Sequence, residues 1–393
     1  MEARLNQGSA VNVRKLAGFA FLLGIVPQAM IEAAVTAALP ESARDLGVNG
    51  EFMAQMMMGM GALGLMLGAF LSGRVLERFG SRQTYLASLV ALGLFGGAGL
   101  IVENVWLLFG SRVIAGFAAS CITTTCMWGI TSSFEAAGRG RRFGMAGSIG
   151  GLSAIASVIT GGFLTQHLGW RFAFIQYVVV ALTFLPFIAA SVEQRHPESM
   201  HSNTGGFLGR VAPLYVQVLV LYSVIGMFSM QLPFMLNAAG MVDAGARSLI
   251  QGIPGLGVIF GGVVYGVLHQ RIGAVWTLIS SVGLFGLGLL SIATNHAVVP
   301  LTLGAAAAGL CMGMSMPYFY HAVSGRTGAA AGRYLGYLSA CTFFGVFSNP
   351  MIFEPLKAMT GVRGLFLMSA GILIVMAAAT ALTSLRKPTA APS

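Results

Sequence analysis

The chain is 393 residues long, 56% hydrophobic and only 9% charged, with a formal net charge of +10 at pH 7 and a mean hydropathy of +0.81. Soluble domains carry about 25% charged residues, so this composition excludes a soluble protein and requires long segments that face lipid or each other. The basic residues are scattered over short segments and form no continuous groove, which excludes nucleic acid as a partner.

In chain order, a polar tail (residues 1–15) precedes six apolar spans at 16–39, 52–76, 84–102, 106–131, 144–165 and 171–191. Each is near the ~20 residues that cross a bilayer. A polar segment, 192–212, contains Glu193, Arg195, Pro197, two histidines and Gly205-Gly206, and reads as a linker. Six further spans follow at 213–236, 246–268, 274–293, 298–320, 335–353 and 364–384. The expected organisation is a bundle at 1–191, a cytoplasmic linker at 192–212 and a second bundle at 213–393. The first span is too long for a signal-peptide core and has no small-residue cleavage signal after it, so it reads as a membrane helix. The cysteines Cys121, Cys126, Cys311 and Cys341 lie within spans, form no C-x-x-C pair and read as small hydrophobes.

Placing both termini inside leaves 16 of the 22 Lys and Arg in cytoplasmic segments, Arg74, Arg78, Arg82, Arg139, Arg141, Arg142 and Arg195 among them. Five fall outside: Arg44, Arg171, Arg247, Lys357 and Arg363. The positive-inside bias selects this orientation. Trp106, Trp170 and Trp276 fall at span ends and read as headgroup anchors.

A repeat runs through the chain. Gly64, Gly68, Gly73, Arg78 and Gly80 return 193 positions later as Gly257, Gly261, Gly266, Arg271 and Gly273. Leu39-Pro40 and Ala115-Gly116 return at the same offset as Leu232-Pro233 and Ala308-Gly309. One unit duplicated head to tail in a membrane protein is transporter architecture. The Gly64-x-x-x-Gly68 and Gly257-x-x-x-Gly261 pairs give each half a smooth helix face for close packing.

Two ionisable residues lie inside spans. Glu32 in helix 1 and Arg112 in helix 4 both sit about two turns, roughly 10 Å, from the outer surface. An isolated charge there costs about 2.5–3.5 kcal/mol or more, so pairing or hydration is expected. Matching depth makes a Glu32–Arg112 contact possible, either as a fixed ion pair or as a proton-carrying site. Glu354 reads as a solvated rim charge and His321 as a loop histidine. Gln28, Thr36, Gln55, Thr123, Thr124, Tyr222, Gln231, Tyr318, Tyr320 and Asn349 are candidate cavity groups, with helix–helix hydrogen bonding the alternative for each. Met56, Met57, Met58 and Met60 suit adaptable binding or plain packing alike.

Enzyme motifs fail on context. Gly59-Met-Gly-Ala-Leu-Gly64 fits G-x-G-x-x-G, but it lies within a span, with no preceding strand and no acid about twenty residues on. The segment around Ser148 has no triad partners. No metal-ligand cluster or cofactor motif occurs, and dispersed single charges argue against a channel filter.

Gly73-Arg-Val-Leu-Glu-Arg-Phe-Gly-Ser-Arg82, between spans 2 and 3, resembles the loop signature G-x-x-x-D-R-x-G-R-R of the major facilitator superfamily, with Glu77 in place of Asp. Gly266–Gly273 is a degenerate copy. The stretch around Arg112 is similar to the superfamily's helix 4 signature, Glu135–Gly144 to its loop 4–5, and Gly169–Phe174 to its helix 6 entry. Ala38-Leu39-Pro40 resembles the end of helix 1 in drug–proton antiporters. The helix 5 pattern G-P-x-x-G-G is reduced to Ser157-Val-Ile-Thr-Gly161-Gly162, and the missing proline removes the expected kink.

The resemblance implies an all-α fold of twelve transmembrane helices in two pseudo-symmetric bundles around a midplane cavity lined by helices 1 and 4. It implies a cytoplasmic gate of Gly73, Glu77, Arg78, Gly80, Arg82, Glu135 and Arg139, although these arginines would also satisfy the positive-inside bias alone. It implies alternating access, with Glu32 and Arg112 coupling protons to efflux of a small amphiphilic or cationic compound. Export or symport of a metabolite such as a metallophore, siderophore or sugar is the alternative. The expected partners are a small molecule, protons and the inner-membrane lipid, with the protein acting as a monomer and without a cofactor.

Overall fold

The computed structural model describes residues 18–133, 136–197, 208–295, 297–328 and 331–385. The chain divides into two compact units, Met1–Asn203 and Thr204–Ser393. The first contains α1 (Gly18–Asp45), α2 (Gly50–Phe79), α3 (Ser81–Leu100), α4 (Val105–Ser133), α5 (Ala136–Leu168) and α6 (Trp170–Ser191). The second contains α7 (Leu208–Ala238), α8 (Ala244–Ile272), α9 (Ala274–Thr294), α10 (Val298–Thr327), α11 (residues 331–360) and α12 (residues 362–385). The last two run together as one long apolar segment that turns at Gly361, whose φ of 71° no helix interior tolerates. Among the described residues the membrane segments are built from helices and contain no strand, as their composition requires in lipid.

Helix α1 is discontinuous, and prolines mark the interruptions. The helical segment Val26–Ala33 has Pro27 in its first turn, and Leu39–Asp45 has Pro40 in its first turn. A proline lacks the N–H that would continue the preceding helix but fits the opening turn of a new one. The chain therefore breaks at residues 24–25 and 34–35, with a short 3₁₀ turn at Thr36–Ala38.

The 193-residue repeat is a repeat of packing. Helix α2 lies against α4 with Gly64 facing Val113, Gly116 and Phe117, so that a Cβ on Gly64 would overlap the Val113 carbonyl. Helix α8 lies against α10 with Gly257 facing Gly309 and Leu310. Gly116 abuts the Gly61 carbonyl and Gly309 abuts the Pro254 carbonyl; Gly68 meets Ser120 and Gly261 meets Gly313. Every partner is displaced by the same offset. The turns also match: φ is 73° at Gly47 and 93° at Gly240, and 73° at Gly80 and 82° at Gly273. In lipid, where no hydrophobic force drives helices together, such backbone contact is the main source of cohesion.

Several boundaries differ from the sequence-based expectation. Residues 136–144, expected as a loop from their resemblance to the family's loop 4–5, continue helix α5; arginine is a good helix former. Helix α7 begins at Leu208, inside the expected linker, with Pro213 near its start. Without the family's proline, α5 runs 33 residues as one helix.

Candidate functional site

In the first unit the polar groups converge on the broken helix α1. The break at 34–35 releases carbonyls of the turns around it, and an unpaired carbonyl in lipid costs several kcal/mol. Side chains from the other helices supply the donors. Arg112 Nη2 of α4 donates to the Ile31 carbonyl at 3.0 Å, and its Nε donates to Met57 of α2 at 3.4 Å. From α6, the Tyr177 hydroxyl donates to Met30 at 3.1 Å and Gln176 Nε2 donates to Ala34 at 3.5 Å. The Thr123 hydroxyl reaches the Gly24 carbonyl at 3.3 Å, beside the earlier break, and Tyr85 of α3 reaches Ala20 at 3.1 Å.

Arg112 is fully buried. Its guanidinium carbon lies 5.2 Å from the Tyr177 ring centroid and 5.7 Å from that of Phe174, so two aromatic rings take the place of a counter-ion. Its Nη1 is buried without a hydrogen-bond partner among the described residues. The rings are set by close packing of α3 on α6: Gly96 faces Tyr177 and Gly99 faces Phe174, each in a place where a Cβ would collide with the ring.

The expected Glu32–Arg112 contact is not made. Ile31 is buried and turned toward Arg112, whereas Glu32 is exposed and makes no ion pair within its unit among the described residues. Successive helical residues point about 100° apart, which sends the two side chains to different faces. Gln28 and Thr36 lie one helical turn to either side of Glu32; Gln28 is half-buried, and the buried Thr36 hydroxyl donates to the Glu32 carbonyl at 3.1 Å. Gln55 is buried in α2, and Thr124 shares a 2.7 Å hydrogen bond with Ser72. Met56, Met57 and Met58 are buried.

The signature turn joins α2 to α3. Gly73 is exposed with open space where a Cβ would stand. Glu77 is half-buried, and the exposed Arg78 lies 5.5 Å from the Phe79 ring. Gly80 makes the turn with φ 73° and ψ 174°. Arg82 Nη2 donates to the Ala189 carbonyl at the end of α6 at 2.9 Å. Glu135 and the side chain of Arg139 lie outside the described residues.

In the second unit, Gln231 of α7 is buried and its Nε2 donates to Glu354 Oε1 of α11 at 2.7 Å. Lys357 Nζ lies 3.3 Å from both Gln231 Oε1 and Glu354 Oε1, and 5.9 Å from the Phe234 ring. Glu354 is therefore not a solvated rim charge; its side chain is 14% exposed and held by two donors. The sequence signal for Lys357 was its place three residues after Glu354. Asn349 is buried; its Nδ2 donates to Gly345 at 2.8 Å, while Oδ1 has no partner among the described residues. Tyr222 and Tyr318 are buried, the latter edge-on to Phe319, and Tyr320 is exposed. His321 lies within α10 rather than in a loop, its ring 6.0 Å from that of His269.

One anchor assignment changes. Trp170, expected as a headgroup anchor, is buried and its Nε1 donates to Asp45 at 2.6 Å, tying α6 to the end of α1. Trp106 and Trp276 are exposed. Arg247 is fully buried and donates to Asn237, Met241 and Val242, closing the turn between α7 and α8. Tyr177 and Gln176 were missed as site residues; the available signal was two adjacent polar residues in an otherwise apolar span.

A helical membrane protein with a duplicated scaffold, signature turns between the second and third helices of each half, and a buried arginine in α4 defines a secondary-transporter class. The chain matches the sequence model of the Major Facilitator Superfamily over residues 21–242, more than half its length, and it belongs to that superfamily. It is similar to the tetracycline resistance protein, class H, of Pasteurella multocida, 25% identical over 81% of this chain and 83% of that one. It is also similar to the multidrug resistance protein MdtG of Dickeya zeae, 24% identical over 78% of both chains. A shorter match, 31% identical, joins 38% of this chain to the puromycin resistance protein pur8 of Streptomyces alboniger, of which it spans only 30%. The chain is thus a multi-pass membrane protein whose family points to a transporter and not to an enzyme.

Proposed function

We propose that this transporter is a proton-coupled exporter of small amphiphilic or cationic compounds, working by alternating access as a monomer in the inner membrane with both termini in the cytoplasm. The observation that carries the reading is the state of Glu32. It is a carboxyl group within a membrane helix, exposed and outside any ion pair of its own unit among the described residues, because the neighbouring cation is committed to Ile31 and two aromatic rings. A carboxylate left free at membrane depth is driven toward its neutral form whenever water leaves it. A coupling group must exchange a proton as its surroundings wet and dry, and a carboxyl group outside any ion pair of its own unit suits that role. Gln28, one turn before Glu32 and half-buried, adds a neutral polar group suited to an amphiphilic substrate. The resistance relatives, named for tetracycline, multiple drugs and puromycin, support export.

The unbroken helix α5 favours a second reading, symport or export of a metabolite, because antiporters of the superfamily resemble one another in the proline this helix lacks. Tetracycline and puromycin added to proteoliposomes carrying a pH-sensitive dye separate the two. Proton release into the compartment the drug leaves supports antiport, and co-movement supports symport. Glu32→Gln is expected to abolish proton movement while leaving drug binding within about tenfold; normal coupling in that variant would refute the assignment.

A further inference from the structure

The signature turn is held by a segment outside the family signature. After α6 the chain runs extended, with φ −101° and ψ 121° at Val192, and lies along the α2–α3 turn. A helix C-terminus leaves carbonyls without partners and a helix N-terminus leaves amides without partners. Here both kinds occur side by side, and neither helix caps itself through a side chain, because the residue between them is Gly80. One glutamine serves both: Gln194 Nε2 donates to the Phe79 carbonyl at 2.6 Å, and its Oε1 accepts from the Gln83 amide at 3.1 Å. The Ser81 amide donates to the Arg195 carbonyl at 2.8 Å. The Ser81 hydroxyl donates to the Glu193 carbonyl at 2.9 Å and accepts from the Arg195 amide at 3.1 Å. His196 Nδ1 is 3.3 Å from the Glu77 carbonyl. A Cβ on Gly80 would run into Gln194, so the glycine serves the strap as well as the turn.

Ser81 stands where the superfamily signature has an arginine. A guanidinium has no acceptor, so it could not take the Arg195 amide; the strap depends on this chain's own departure from the pattern.

We propose that Gln194 and Ser81 are positioning residues for transport: they fasten the α2–α3 turn to the end of α6, so that Glu77 and Arg78 are presented in one fixed geometry and the turn moves with α6. The proposal rests on the reading of that turn as a gate. Its first half, the strap itself, needs no substrate to test.

Hydrogen–deuterium exchange on the full-length protein in lipid nanodiscs reads the strap directly. The Ser81, Gln83 and Arg195 amides are expected to be protected in the native chain. In Gln194→Ala and Ser81→Arg they should exchange about tenfold faster, with α2 and α3 interiors unchanged. Ser81→Thr, which keeps the hydroxyl, should restore protection. Tetracycline and puromycin transport then reads the consequence: a fall of about threefold or more in turnover with KM unchanged in Gln194→Ala and Ser81→Arg, and recovery in Ser81→Thr. Equal amide exchange in native and variant proteins would overturn the proposal. So would faster exchange with native turnover, given that Arg78→Ala slows transport. If Arg78→Ala itself leaves transport intact, the gate reading fails, and the positioning role fails with it.

Discussion

Arg112 Nη2 is bonded to the carbonyl of Ile31 at 3.0 Å, not to the carboxylate one residue further along the same helix. This fully buried cation is thus spent on backbone, and its two aromatic neighbours come from α6. The bond is made at Ile31, and the carboxyl group of the adjacent Glu32 is left out of it.

Arg112→Met removes two donors and leaves the Ile31 carbonyl, beside the break in α1, without its side-chain partner. A hydrogen bond from a charged donor is worth about 1.5–3 kcal/mol, so a loss of about 3 kcal/mol is expected, read as a lower Tm in detergent. Arg112→Lys keeps the charge but not the forked reach and should recover less than half. If the methionine variant melted with the native protein, the backbone role would be wrong.

The repeated glycines divide into those with neighbours and those without. Gly64→Ala and Gly257→Ala each force apart a helix pair whose backbones touch; overpacking of this kind costs about 1–3 kcal/mol. Gly73→Ala and Gly266→Ala point into open space and should hold or raise stability by a few tenths to ~1 kcal/mol. Thermal unfolding of the four variants checks the contrast. Equal losses in all four would refute it.

Much of this scaffold could be read from the residues alone. Prolines at 27 and 40 mark where α1 restarts, and glycines at one offset mark where helices cross. Side-chain direction could not be read. Arg112 and Glu32 share a depth, but which face each occupies depends on a helix interrupted twice, and the rotation across a break is not written in spacing. Trp170 sits at a span end like Trp106, yet one is buried on Asp45 and the other is exposed. Position along a helix fixes depth in the membrane and leaves the neighbour open.

Trp170→Phe keeps the ring's packing and deletes the donor to Asp45. A cost of about 1–2 kcal/mol is expected, with Asp45→Asn, which retains an acceptor, costing less than half as much. Chemical denaturation in mild detergent measures both. An unchanged midpoint in the phenylalanine variant would return Trp170 to the role of a packing residue.

Glu354, Lys357 and Gln231 form one network, so their losses should not add. In a double-mutant cycle, Glu354→Gln with Lys357→Met is expected to show about 0.5–1 kcal/mol of coupling, the range for a partly exposed pair. Additive effects in thermal unfolding would mean that the 3.3 Å approach contributes nothing.

The matched crossings at Gly64 and Gly257 preserve backbone shape while ionisable chemistry has diverged: the counterpart of Arg112 is Ala305, and that of Glu32 is Ile225. At these two positions the scaffold is written twice and the charge once. An engineer could therefore graft acids or bases into the second copy at mirrored sites without disturbing the joints that hold either copy together.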